Sequence, residues 1–387
     1  MRTNPRFAFI LIACAFLNVM IPGLSFAQGS VSAEAKPFSD YFLPIPITGA
    51  LSKDAWGAET VGPRDPQNGL EDATMKKWNY WDGQIIKGPD GKYHLFASRW
   101  DQAVGHKGWG GAKAIHAVSA SLYGPYADEG LCWPDNKGGK GCNTEIVTLP
   151  DGRYALVVSE TRNGDVFTSK SLDGPWTQLG SITVDQSKYP ATFAPEARPR
   201  AAEIGKPWRA SNLSIIVRPD GDFEIVPRSG QILLSKTGIL GPYTVEGMTI
   251  YAGLPGLPQD NLWCFEDPVL WYSGGWYHVV VNNWKDRKAY HLLSADGITG
   301  WRFQGSAYDP TTNLVRYTDG TVNHWNKMER PSVFIENGHV TAITLAAIDV
   351  PKEQDTGNDG HGSKILVIPF DGAAMDRDLQ GSPGAGR

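Results

Sequence analysis

Alternating apolar and polar positions run through most of the chain. Short runs rich in Val, Ile, Tyr and Trp, such as KYHLFAS (92–98), RYALVVS (153–159), WYHVVV (276–281) and HVTAITLA (339–346), recur between clusters of Gly, Pro, Asp and Asn. A period of two marks half-buried strands, and beyond the first residues no segment carries a helical period of useful length. The turns ahead of these runs align as Pro89-Asp90-Gly91, Pro150-Asp151-Gly152, Pro219-Asp220-Gly221, Ser273-Gly274-Gly275 and Glu336-Asn337-Gly338. Asp-Gly and Asn-Gly between alternating runs signal hairpins, because primed turns need positive φ. A second signal follows: SASLYGPY, SKSLDGPW, SKTGILGPY and the diverged SADGITGW. Two hairpins in a unit of about 60 residues make one four-stranded blade. Five units predict an all-β chain, a five-bladed β-propeller of four-stranded antiparallel blades over residues 78–372. Residues 28–77 lack the unit and are expected to pack on the propeller or help close its ring. Residues 373–387, rich in Gly, Ser and Asp, are expected to be a disordered tail.

The first 27 residues stand apart. Arg2 and Arg6 precede an apolar run from Phe7 to about Leu24, and Ser25-Phe26-Ala27 resembles a cleavage site. The segment reads as a signal peptide, so the mature chain is expected to be periplasmic or secreted, with no membrane attachment after cleavage. Loss of the two arginines takes the formal charge from −5 to −7. With no basic run, nucleic acid is excluded as a natural partner. Cys132 and Cys142 bracket a Gly/Lys/Asn loop, and in an oxidising compartment a disulfide between them is plausible; Cys264 reads as a small buried residue. Oligomeric state leaves no mark on the sequence.

Eight residues before each turn residue, the same slot is polar: Asp82, Asn143, Asn212, Glu266 and Glu329. In a propeller the first strand of each blade lines the central channel, so five such positions would converge on one funnel. Asn143 and Asn212 also suit a local capping role. Glu266 and Glu329 do not, being too long for such a turn. Glu266 is followed by Asp267 and Pro268. Neighbours on a strand point to opposite faces, so both acids reach one funnel only if a bulge intervenes, which Pro268 favours.

WDGQIIKGPDGKYHLFASRW (81–100) and FEDPVLWYSGGWYHVVV (265–281) resemble the blade pattern of five-bladed glycoside hydrolases: an acid at the head of an inner strand, a Pro or small residue, aliphatics, a Gly turn, then Tyr and a strand. The group includes glycoside hydrolase family 43 and the related neoagarooligosaccharide hydrolases of family 117. The resemblance implies a carbohydrate-cleaving site at the funnel, with Asp82 where the blade-one base would be. It usually supplies the acidic Glu from a middle blade, where this chain has Asn143 and Asn212. Glu145 is two residues past Asn143 on the same strand face, and the acids of blades four and five look more like family 117.

Glycosidic hydrolysis needs one protonated and one ionised carboxyl flanking the bond. Crowded acids provide this, because like charges push one pKa up. Asp82 is therefore the candidate base or nucleophile, Glu266 or Glu329 the candidate acid, and Asp267 an orienting, pKa-setting group. Arg330 is a candidate cation for the ionised partner. Trp81, Trp263 and Trp325, just upstream of the acidic slots, are candidate sugar-stacking faces. His116 and His324 are further candidate substrate contacts. No paired His or Cys spacing supports a transition metal; no cofactor is required, although a structural calcium in the channel is compatible with the sequence. The expected partner is a plant or algal oligosaccharide or polysaccharide. Two alternatives remain: a polysaccharide lyase acting on uronates through His116, His324, Tyr80 and Arg330, and a non-catalytic carbohydrate-binding propeller.

Overall fold

A computed structural model describes residues 36–185, 210–247 and 249–381. The expected signal peptide lies outside the described residues. Five antiparallel sheets are arranged as the blades of a propeller. Blade one is β1 (Trp78–Lys87), β2 (Tyr93–Asp101), β3 (Lys113–Ser119) and β4 (Ala127–Leu131). Blade two is β5 (Cys142–Thr148), β6 (Tyr154–Ser159), β7 (Asp165–Ser169) and β8 (Thr177–Ser181). Blade three is β9 (Ser214–Val217), β10 (Phe223–Val226), β11 (Ile232–Ser235) and β12 (Thr244–Gly247). Blade four is β13 (Phe265–Ser273), β14 (Trp276–Asn283), β15 (Lys288–Ser294) and β16 (Arg302–Tyr308). A short hairpin, β17 (Val315–Arg316) and β18 (Val322–Asn323), leads into blade five, formed by β19 (Lys327–Glu336), β20 (His339–Ile348) and β21 (Ser363–Pro369).

Each seam between blades is an apolar core. Blades two and three share Val157, Val166, Ile215 and Ile225, for example, and the ring closes where Tyr80, Ile85 and Leu95 of blade one meet Phe334, Ala342 and Val367 of blade five. The repeated GPY segments turn the third strand of a blade into its fourth. There Tyr126 and Tyr243 donate their hydroxyls to the carbonyls of Leu122 and Ile239 at 2.9 and 3.0 Å.

Blade five has three strands, and its outer edge is covered by the N-terminal segment. Leu70 exchanges both backbone hydrogen bonds with Ile365, at 3.1 and 2.9 Å. Beneath this contact Arg64 and Lys364 both pair with the Glu71 carboxylate, at 2.5 and 2.9 Å, with all three side chains about fully buried. Burial outweighs the Glu71 charge and brings the Lys364 ammonium down to about 8. Glu71→Ala would leave two buried cations unpaired, and we expect a loss of about 3–5 kcal/mol, measured as a lower midpoint in urea unfolding.

Two expectations are corrected. The expected disordered tail, 373–387, begins inside a helix: α2 (the second of two short α-helices, after Ala58–Val61) spans Gly372–Gln380, and residues 382–387 lie outside the described residues. Asp371 caps it by accepting from the Ala374 N–H at 2.9 Å, and Met375 and Leu379 are buried in the core between blades four and five. The composition hid two apolar anchors four residues apart. Cys132 and Cys142 are free thiols. Cys132 packs with Trp133 and Phe167 in the seam of blades one and two, while Cys142 sits with Trp81 and Trp100 and donates to Asn143 Oδ1 at 3.3 Å.

Candidate functional site

At the head of the inner strand of each blade one residue adopts a left-handed backbone: Asp82 (φ 66), Asn143 (57), Asn212 (41), Asp267 (54) and Arg330 (50). In β1, β5, β13 and β19 the strand register shifts at this residue. These are bulges, which re-aim a side chain at the cost of local pairing. The five side chains form a closed ring around the channel. Asp82 Oδ2 accepts the Asn143 N–H at 2.9 Å, and Asn143 Nδ2 donates to Asn212 Oδ1 at 3.2 Å. Asn212 Nδ2 donates to Asp267 Oδ1. Arg330 then joins Asp267 Oδ1 at 3.2 Å to Asp82 Oδ1 at 3.3 Å. Its Nη2 also reaches Glu145 Oε1 at 3.6 Å.

The polar column is thus displaced by one residue in two blades: Asp267 and Arg330 belong to it, not Glu266 and Glu329. Turn chemistry is the cause. In blades one to three the hairpin loop has five residues between paired positions, as between Lys87 and Tyr93. In blades four and five it has two, Gly274-Gly275 and Asn337-Gly338, all with positive φ. Counting back from the turn therefore lands one residue early. The axial acids Asp82, Glu145 and Asp267 have the Arg330 guanidinium as their cation.

Glu266 and Glu329, one residue ahead of the ring, stand in the wall of a cleft of about 210 Å³ above it. Asp267, Glu266 and Glu329 each bring an oxygen within 4.8 Å of the others. Their surroundings drive them apart. Glu266 is raised to about 8 by burial and by the charges of Asp267 and Glu329, against the pull of Arg228 at 2.9 Å. Burial would raise Glu329 too, but Lys352 and Lys327, one on each carboxylate oxygen, bring it down to about 2. Asn212 and Arg330 both use Oδ1 of Asp267, which also lines the cleft.

Asp82 is placed differently from expectation. It lies beneath the cleft rather than in its lining, is 2% exposed, and is held by Ser98, the Asn143 N–H and Arg330. Burial raises its pKa and Arg330 opposes the rise. It is a ring member covered from above. Glu145 lies deeper still, in the apolar channel with Ile85, Val269 and Val333, where burial lifts it to about 8.

Trp81, Asn143 and Asn212 line the cleft as expected. Besides Asp82 and Glu145, four candidates do not. His116 lies within blade one, its ring stacked on Phe96 and His94 and its Nε2 2.9 Å from His94 Nδ1. The same pair recurs in blade four as His278 and His291, at 3.0 Å; it is a packing element of the repeat. His324 is an exposed loop residue whose N–H bonds to Val61. Trp325 is buried against Trp56 and Arg64 of the N-terminal segment. Trp263, 41% exposed, stacks edge-on to Trp284 outside the cleft lining. Tyr80 is buried too, its hydroxyl donating to Asp128, so the residues considered for a lyase are not gathered here.

The cleft gains residues that the strand repeat did not mark: His106, Trp109, Glu160, Arg228 and Lys352. His106 stands edge-on to Trp81 and Trp100, and burial lowers its pKa to about 3, so it is neutral in ordinary buffers. Trp109, 44% exposed, sits in the glycine-rich His106–Gly111 segment. Glu160 accepts from Ser211 Oγ and the Asn212 N–H at 2.6 and 2.9 Å, supporting the ring from outside. Lys352 lies over the Trp81 ring at 5.0 Å.

No protein-family model matches the chain, and no curated protein does. Solved structures with the same fold do. An α-L-arabinofuranosidase from Podospora anserina, solved with cellotriose, is 15% identical over 79% of this chain and 94% of its own, with a TM-score of 0.53. The catalytic domain of a family 62 α-L-arabinofuranosidase from Coprinopsis cinerea is 12% identical over 79% and 94%, with a TM-score of 0.52. The family 117 glycoside hydrolase Zg3597 of the marine bacterium Zobellia galactanivorans is 13% identical over 79% and 88%, with a TM-score of 0.51. At these identities the likeness establishes the five-bladed propeller.

Proposed function

We propose that the protein is an exported glycoside hydrolase that removes sugar units from a plant or algal oligosaccharide. The observation that carries this reading is the split pair in the cleft: Glu266 held protonated to about 8 beside Glu329 held ionised down to about 2. Glycosidic cleavage needs a carboxyl that keeps its proton in the cleft, and the charge on Glu329 serves that end. In this reading Glu266 protonates the leaving oxygen as the C–O bond breaks. The oxygens of Glu266 and Asp267 lie within 4.8 Å, the short separation of a retaining pair. The Asp267 carboxylate therefore bonds to the anomeric carbon as the leaving oxygen departs, and a water deprotonated by Glu266 then takes that carbon and frees Asp267. Both oxygens of Glu329 are engaged by lysines, so its task is to keep the proton on Glu266. Trp81 and Trp109 offer apolar faces to a sugar ring. The cleft volume, about 210 Å³, is below that of drug-sized sites and suits one ring, which supports action at a chain end. Two solved structures of the same fold are named α-L-arabinofuranosidases, which supports a furanoside as the first substrate to try. The charged and apolar features of residues 1–27 support export.

The test is a screen of nitrophenyl glycosides and of plant and marine oligosaccharides, with arabinofuranosides first. Release of a reducing sugar without an unsaturated product is expected; an unsaturated product would move the assignment to a lyase. Asp267→Asn is expected to lower kcat by about 10²–10⁴-fold with substrate binding retained. Asp82→Asn should cost less, since it disturbs Arg330 rather than the nucleophile. An equal or greater loss in Asp82→Asn would transfer the nucleophile role to Asp82.

A further inference from the structure

The loop between β20 and β21 reads DVPKEQDTGNDGHG over residues 349–362. It holds two parts of the cleft wall in place. Lys352 reaches Glu329 from it. The Asp355 carbonyl accepts the N–H of His106 at 3.2 Å. Asn358 N–H donates to Gln102 Oε1 at 3.1 Å, and Gln102 Nε2 donates to the His361 carbonyl at 3.0 Å. Gly357 approaches so closely that a Cβ there would lie 2.4 Å from the Ala103 carbonyl oxygen.

One carboxylate of this loop is short of partners. Asp355 is 2% exposed, neither of its oxygens has a partner within hydrogen-bond geometry, and the Gly357 N–H is the backbone donor near it. Buried carboxylates are ordinarily paired or bound to a cation. Its surroundings add negative charge: burial and then the charges of Asp359 and Asp349 push it up to about 7, and the nearby Gly357 N–H and His361 offset only part of this. Asp359 and Asp349 spend bonds on shaping the turn. Asp359 accepts from the Thr356 and His361 N–H groups at 2.8 and 3.1 Å. Asp349 accepts from His361 Nδ1 at 2.8 Å and the Gly362 N–H at 3.1 Å. Residues on either side of Asp355 are exposed, so the carboxylate lies just under the surface. The donors on offer are carboxylate and carbonyl oxygens, which suit a hard cation. Asp355-Thr356-Gly357-Asn358-Asp359-Gly360 shares the first, fifth and sixth positions of the D-x-[DN]-x-[DN]-G-x5-E calcium loop, with glycine at the third and Leu366 in place of the final Glu, so the ligands come from the turn alone.

We propose that Asp355, with Asp359 and carbonyl oxygens of the 355–361 turn, binds a calcium ion that fixes the loop carrying Lys352 and buttressing His106. The site lies outside the acid cluster of the cleft and does not rest on the hydrolase reading. Chelator-treated full-length protein is titrated with CaCl2, and with MgCl2 in parallel, by calorimetry and thermal melting. One equivalent of Ca²⁺ is expected to bind with a Kd between about 1 µM and 1 mM and to raise Tm by a few degrees at saturation. Mg²⁺ should bind at least about tenfold more weakly, because it demands a stricter geometry. Asp355→Asn should abolish the response, and Glu353→Gln, an exposed neighbour, should leave it unchanged. No heat and no melting shift up to about 10 mM Ca²⁺, or a full response in Asp355→Asn, would overturn the proposal. If Asp355→Asn does not fold, terbium on the native protein decides: tryptophan-sensitised emission displaced by one equivalent of Ca²⁺ supports the site, and its absence removes it.

Discussion

Glu266→Gln is expected to lower kcat on an unactivated glycoside by about 10²–10⁴-fold while leaving the fold intact. The amide fills the same space beside Arg228 but has no proton to give the leaving oxygen. The loss should shrink sharply on a dinitrophenyl glycoside, whose leaving group needs no proton, and that contrast separates an acid from a merely structural glutamate. In the native protein the rate should fall as pH rises through about 8, where Glu266 loses its proton. The same shift has a stability consequence. The folded-state pKa lies above the ordinary 4.5, so the contribution of Glu266 is complete below about 4.5 and is lost as pH rises toward 8. A pH–rate profile without this alkaline limb, or equal losses on both substrates, would remove Glu266 from the acid role.

Arg330→Met should be the most damaging substitution in the ring. Three carboxylates, Asp82, Glu145 and Asp267, contact the guanidinium, and all are buried. Glu145, raised to about 8, is largely neutral at neutral pH, but removing the cation leaves the charge of the two aspartates buried without a partner, and we expect about 3–5 kcal/mol of destabilisation. The sign with pH is also defined. Burial already raises Asp82 and Glu145, and Arg330 opposes the rise, so without the cation both go higher and the variant should gain stability as the pH falls toward 5 and lose it as the pH rises. Urea unfolding of native and variant protein at two pH values reads both effects. A variant as stable as the native protein at neutral pH would mean that the three acids are already protonated.

Much of the architecture was legible because hairpins leave local marks. A PDG or NG turn followed by alternating residues announces two paired strands, and the GPY segment announces the next pair. The site was legible only in part. Asp82, Asn143 and Asn212 were placed in the ring correctly because their blades share one turn length. Glu266 and Glu329 were assigned to it because blades four and five use two-residue turns, and a side chain slipped by one residue changes its level in the funnel. The arginine at the fifth position was seen only as a neighbour of Glu329, since nothing in the local sequence says that a bulge turns it to the axis. His106, Trp109 and Lys352 come from loops with no period to count, and their approach to the cleft depends on contacts such as His106 N–H with the Asp355 carbonyl. Trp325 failed for the opposite reason: its proximity to Glu329 in sequence says nothing about the N-terminal segment that covers it.

The left-handed heads of the inner strands limit how this funnel can be rewritten. Left-handed backbone is tolerated by Gly, Asn and Asp and resisted by β-branched side chains. Four of the five positions carry Asn or Asp, and only Arg330 departs from that set. Any attempt to reprogramme the floor of the cleft therefore works with a short alphabet. A valine or threonine library at these positions would be screened out by the backbone before its chemistry was ever sampled. The wall positions one residue ahead of the ring carry no such restriction, and of these Trp81, which takes no part in the proton transfers, is where new specificity could be written.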